Sequence, residues 1–81
     1  MKNFCVIRMA NKPNGDFAAP VQAFELETDA QKEYFRLCGL AVDSVNLMDS
    51  VMLTTAQGFE LKHETFLHPA PEPEPEPEEN A

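Results

Sequence analysis

Basic residues are scarce: six Lys and Arg stand against fourteen Asp and Glu, giving a formal net charge of −8. A protein that grips a nucleic-acid backbone needs a basic stripe to release counterions from the phosphates, so no direct nucleic-acid binding is expected. A protein partner with a basic surface suits the balance better. Long hydrophobic runs are also missing. The apolar stretch from Phe4 to Met9 is broken by Arg8, and it is too short for a signal-peptide core or a membrane span, so a cytoplasmic chain with no membrane partner is expected. Cys5 and Cys38 are the only cysteines. Each sits in an apolar pattern, where a free thiol behaves as a small hydrophobe, and cytosolic disulfides are rare. Reduced, buried thiols are the ordinary reading; a redox switch would need their Cα atoms within ~5.5 to 6 Å. His63 and His68 are the only histidines, and no Cys-x-x-Cys or His-Glu-x-x-His spacing accompanies them, so neither a metal nor a cofactor is expected. No Gly-rich nucleophile turn surrounds Ser44 or Ser50, and no catalytic residue is assigned.

What is present divides the chain in two. Pro69 to Ala81 reads Pro-Ala-Pro-Glu-Pro-Glu-Pro-Glu-Pro-Glu-Glu-Asn-Ala. Alternating proline removes every second backbone donor and fixes φ near the polyproline II value, while glutamate offers nothing to bury, so 69–81 is expected to be a disordered tail or linker. Its glutamates spread around a three-residue turn and form no single edge, which favours a spacer over a docking motif. Residues 1–68 remain for one small domain, with six bases against nine acids.

Within 1–68, Asn3 to Ala10 is apolar at nearly every position, the pattern of a central strand covered on both faces. Lys12-Pro13-Asn14-Gly15-Asp16 has the chemistry of a turn that folds the chain back. The return strand breaks at Pro20 and resumes over Val21 to Glu27, with Phe24 and Leu26 inward and Glu25 and Glu27 outward. Thr28 to Gln31 matches a capping box, opening a helix from Asp29 to Cys38 that Gly39 would stop in a left-handed conformation. Ala30, Tyr34, Leu37, Cys38 and Ala41 form its inner stripe. Asp43 to Ser50 fits a short helix or turn, and Val51 to Thr55 with Phe59 to Phe66 form a second hairpin around Ala56-Gln57-Gly58. The expected fold is α+β: an antiparallel sheet from two β-hairpins with one main helix packed on one face, in the order β-β-α-(short α)-β-β.

Such a domain is expected to act through its surface. On one strand face Glu25 and Glu27 would stand ~6.6 Å apart with Asp29 continuing the line, a partner-binding candidate or an ordinary acidic surface. Phe17, in the first long loop with Ala18, is the candidate apolar anchor. A helix-turn-helix around Gly39-Leu40 would place Ser44 to Asp49 in a DNA groove with no Arg or Lys, so a connector is the better account. The edge strand beside Pro20 leaves a monomer or a weak homodimer open.

Phe-Cys-Val-Ile-Arg-Met-Ala-Asn-Lys-Pro-Asn-Gly-Asp, from Phe4 to Asp16, followed by an acidic strand and a helix, resembles small accessory proteins of phages and prophages. It is also similar to the N-terminal segment preceding prophage exonucleases of the exodeoxyribonuclease VIII type. The first resemblance implies a non-catalytic module that modulates or inhibits a host nucleic-acid enzyme. The second implies a tethered accessory domain, with the Pro-Glu segment as linker and nuclease chemistry beyond Ala81.

Overall fold

A computed structural model describes residues 1–68, which form a small α+β domain. Its elements are β1 (Phe4–Asn11), β2 (Phe17–Ala18), β3 (Val21–Phe24), α1 (Glu27–Ala41), β4 (Met48–Thr55) and β5 (Glu60–Leu67). All pairings are antiparallel, in the order β2-β1-β4-β5, and β3 lies beside β2 along the same edge of β1. β1 is thus interior, as its apolar sequence predicts. Lys12 N–H donates to Asp16 at 2.8 Å, and Gly15 takes φ +94°, the left-handed conformation that lets the chain return. Pro20 divides β2 from β3 because it has no N–H to offer, although its carbonyl still accepts from Arg8 at 3.2 Å. Between β4 and β5 the turn closes through Gly58, at φ +98°. Just past it the register slips between Leu53 and Thr54, leaving Leu61 as the extra residue.

The helix runs across one face of the sheet. Ala30, Tyr34 and Ala41 from α1 bury against Val6, Val51 and Leu53, with Phe4, Phe24, Leu37, Cys38 and Phe66 packed around them. Both ends of α1 differ from the sequence expectation. It starts at Glu27 after an extended Leu26, and no side chain caps it; Thr28 lies inside the first turn, and the Gln31 amide donates to Glu27 at 3.2 Å. Glu27 and Asp29 offset the exposed first-turn amides by their charge instead. Leu26 does not face the core, being 60% exposed. At the other end α1 passes through Gly39 and stops at Ala41, which is fully buried. Burying Ala41 outweighs the roughly 1 kcal/mol that a helical glycine costs.

The expected short helix over Asp43 to Ser50 does not form. Residues 42–47 are turns and bends, and Asp49 and Ser50 belong to β4. Side chains of Ser44 and Asn46 bond to Asp49 rather than cap a helix, so this connection is shaped by one buried carboxylate. The rod-like reading of Pro69 to Ala81 lies outside the described residues.

Glycine substitutions check this geometry. Gly39 has no left-handed φ and open space where a Cβ would stand. Gly39→Ala is therefore expected to stabilise the domain by about 0.5 to 1 kcal/mol, raising Tm by about 4 to 8 °C per kcal/mol. Gly58→Ala should lower Tm, because a side chain at φ +98° is strained. Thermal melts distinguish the two; a destabilised Gly39→Ala would restore Gly39 as the helix stop.

Candidate functional site

The register assigns each strand residue to a face. On the helix side, Phe4, Val6, Arg8 and Ala10 stand opposite Thr55, Leu53, Val51 and Asp49. The alternate positions form the other face: Cys5, Ile7 and Met9 on β1, Val21 and Ala23 on β3, and Met48, Ser50, Met52 and Thr54 on β4. Phe17, opposite Asn11, sits at one corner, and Leu67, opposite Met48, at another.

Burial differs between the larger apolar side chains of the two faces, although Ser50 and Thr54 on the second face are also buried. Under the helix, Val6, Val51 and Leu53 are at most 1% exposed. On the opposite face of the same interior strands, Cys5, Ile7, Met9, Met48 and Met52 are only half-buried, while Phe17 and Val21 are more than half exposed. Among the described residues nothing covers this face.

Three of its polar side chains bond one another. Ser50 Oγ lies 2.9 Å from His63 Nε2 and 3.3 Å from Thr65 Oγ1, and Thr65 Oγ1 lies 2.9 Å from the same ring nitrogen. Glu60 approaches His63 Nδ1 at 3.7 Å. The order serine, histidine, carboxylate is that of a nucleophile with its base and orienting acid. Thr65 competes for the ring nitrogen, however, and β4 is paired with β1 and β5 on either side of Ser50, so its amides serve the ladder rather than a developing oxyanion. The three side chains of the triangle bond one another, with His63 and Thr65 exposed.

A second polar cluster lies on the helix side. Arg8 donates to Asp49 Oδ1 from Nε at 3.0 Å and pairs through Nη2 at 2.9 Å, Asn46 Nδ2 donates at 3.1 Å, and Ser44 donates to the other carboxylate oxygen. His68 Nε2 donates to the Ala41 carbonyl at 2.9 Å and lies 3.5 Å from Asp49. Burial pushes the Asp49 carboxyl up, but donation from Ser44, Asn46 and Arg8, with the Arg8 charge, holds it below the usual carboxylate range. This cluster ties the 42–47 connection, β1 and β4 together. Among the described residues no three His, Cys, Asp or Glu side chains converge as metal ligands do.

Two open grooves indent the described surface, one of them against the helix. One of about 390 Å³ is lined by Tyr34, Phe35, Cys38, Lys62, His63 and Glu64. Burial pushes the Tyr34 hydroxyl up to about 12 and also raises the Cys38 thiol, which keeps both protonated at neutral pH. Lys62 stands over the Phe35 ring at 5.8 Å. The other, about 220 Å³, is lined by Arg8, Ala10, Lys12, Ala18, Pro20 and Asn46, and its Arg8 is already held by Asp49.

The residues singled out from sequence do not form one patch. Glu25 follows β3 and meets the N-terminal amine at 3.5 Å, while Glu27 and Asp29 belong to the first turn of α1. The expected strand spacing of Glu25 and Glu27 is therefore replaced by a strand-to-helix corner. Phe17 pairs beside Asn11 and Phe24 beside Phe4. Seven residues of β1 thus set Phe17 roughly 23 Å from the acidic corner. Phe17 and Ala18 also prove to be strand rather than loop, with Phe17 on the uncovered face. Cys5 and Cys38 are free and lie on opposite sides of the sheet, only half-buried rather than buried. Sequence reasoning missed Ile7, Met9, Met48 and Met52 as a surface, although the apolar pattern of β1 around Arg8 carried the signal for Ile7 and Met9.

Comparison with known proteins finds no matching family model, no matching curated protein and no matching solved structure.

Asp49 makes the fold acid-sensitive in a predictable direction. Its carboxyl is held low in the folded state and returns to the ordinary range on unfolding, so its stabilisation is complete above about pH 5 and is lost as pH falls through the lowered value. Urea midpoints measured against pH should fall steeply on the acid side for the native chain. Asp49→Asn should be less stable at neutral pH and show a shallower acid limb; parallel curves would remove Asp49 as the source.

Proposed function

We propose that this chain is a non-catalytic protein-interaction module that works by occupying its partner. The observation that carries this reading is the uncovered sheet face, whose interior offers Ile7, Met9, Val21, Met48 and Met52 for contact and whose charged positions are confined to β5. A contiguous apolar patch on a small soluble domain is a contact surface far more often than idle exposure, and a core of Met and branched aliphatic side chains with a polar margin is how such contacts are built. Phe17 lies at the margin as an aromatic anchor.

The acidic corner of Glu25, Glu27 and Asp29 forms a second, separate contact in this reading, directed at a basic protein surface. Its exposure and the excess of acids over bases support that choice. The resemblance of Phe4 to Asp16 to phage accessory proteins supports a narrower version, in which the basic surface is that of a host nucleic-acid enzyme and the module modulates or inhibits it.

A photo-reactive amino acid placed at Met52 tests the face in cells, with the same probe at Val45, an 82% exposed residue of the 42–47 connection, as control. Met52 should give a covalent adduct with a polypeptide and Val45 none. Equal labelling from the two positions, or none from either, would remove the face from the function.

A further inference from the structure

From the same face, and resting on the reading that it is an interaction surface, we infer that its occupant is a second copy of this chain, packed sheet against sheet about a two-fold axis. The first ground is β1 itself. Phe-Cys-Val-Ile-Arg-Met is the pattern of a strand covered on both faces, and β4 adds Met48 and Met52 to the same open face, alternating with Ser50 and Thr54. Among the described residues α1 supplies a layer for one face only, and a second copy would supply the layer for the other.

Area and charge fit a copy of the same chain. Four strand positions at ~4.8 Å and eight residues at ~3.3 Å give roughly 500 Å² per copy, or about 1,000 Å² in total, which reaches the lower bound for a specific interface. A chain of net charge −8 repels its twin wherever acids meet, yet Glu60 is the one acid assigned to this face and it lies at the end near the β4–β5 turn. The Ser50, His63 and Thr65 triangle is already bonded within itself, so covering it strands few polar atoms. Two right-twisted sheets pack naturally at about −30° with aliphatic side chains interdigitated, and the three methionines adapt to whatever gaps remain.

Pairing at the sheet edges is the weaker route to a dimer. Pro20 splits the β2–β3 edge, and Glu60, Lys62 and Glu64 put charges along β5. A face-to-face pair also leaves Glu25, Glu27 and Asp29, near the start of α1, free on both copies for a basic partner.

Sedimentation equilibrium on the full purified chain, from about 1 to about 200 µM, is the test. The native chain should reach twice its chain mass. Met52→Lys and Val21→Lys should each weaken association by about 100-fold or more, since a lysine is then buried without a counter-charge. Both sites are at least part-exposed in the single chain, so circular dichroism should be unchanged. A native chain that stays monomeric throughout, or a dimer that neither substitution weakens, overturns the inference. A monomer whose Met52 probe still joins another polypeptide sinks self-pairing and leaves the interaction reading intact; a monomer giving no adduct sinks both.

Discussion

One helix serves a sheet that has two apolar faces, and the rest of the molecule follows from that shortage. Strand side chains alternate, so every inward Val6 or Leu53 commits its neighbours Cys5, Ile7, Met52 and Thr54 to the other side. In most sheets of this kind the outward positions are polar. Here Ile7, Met9 and Met52 share them with Ser50 and Thr54 on the two interior strands, and the three larger side chains are only half-buried. A domain of this size gains little stability from a single core. Leaving Ile7, Met9, Val21, Met48 and Met52 outside that core withholds their burial from the stability of the described domain.

The Asp49 cluster shows the opposite strategy. A carboxylate with no exposed surface would be destabilising by itself, but Arg8 reaches it from the neighbouring strand, and Ser44 and Asn46 bond to it from the connection. That arrangement gives a segment whose Val42 and Val45 are exposed a defined path between α1 and β4. It also accounts for the position of His68, which bonds to the last residue of the helix, Ala41, from just beyond β5. The polar residues of the open face are grouped differently: they bond one another across β4 and β5 and anchor no loop.

Much of the framework was legible because it depends on local chemistry. Gly15 and Gly58 adopt left-handed conformations where turn residues surround them, Pro20 interrupts its strand, and the stripe of Ala30, Tyr34 and Ala41 is buried at helical spacing. The errors arise where tertiary contacts override local signals. Thr28 and Gln31 have the spacing of a capping box, but β3 ends at Phe24, opposite Phe4, and the chain turns upward sooner than that signal allows. Gly39 looks like a terminator, yet packing of Ala41 draws the helix past it. Val45 and Met48 share a helical spacing, but Val45 is 82% exposed while Asp49 is fully buried, so hydrophobic periodicity misleads precedence there and the buried carboxylate decides the local path.

The candidate site was less legible than the fold, for a specific reason. A continuous apolar run reports that both faces of a strand are to be covered, but it does not report by what. From sequence, both hairpins are placed in one sheet with the helix on one face, and Glu25, Glu27, Asp29 and Phe17 are the candidate contacts, which leaves the cover of the second face of β1 unassigned. The register settles the assignment: the second hairpin extends the sheet sideways through β4 and β5 instead of folding over it, since β4 pairs with β1 along its whole length from Phe4↔Thr55 to Asn11↔Met48. β4 adds Met48 and Met52 to the face that the helix cannot reach, and β5 borders it with Leu67, Thr65, His63 and Glu60. The unmatched half of the β1 pattern is therefore a property of the topology itself, and only a layer contributed from outside the described domain can match it.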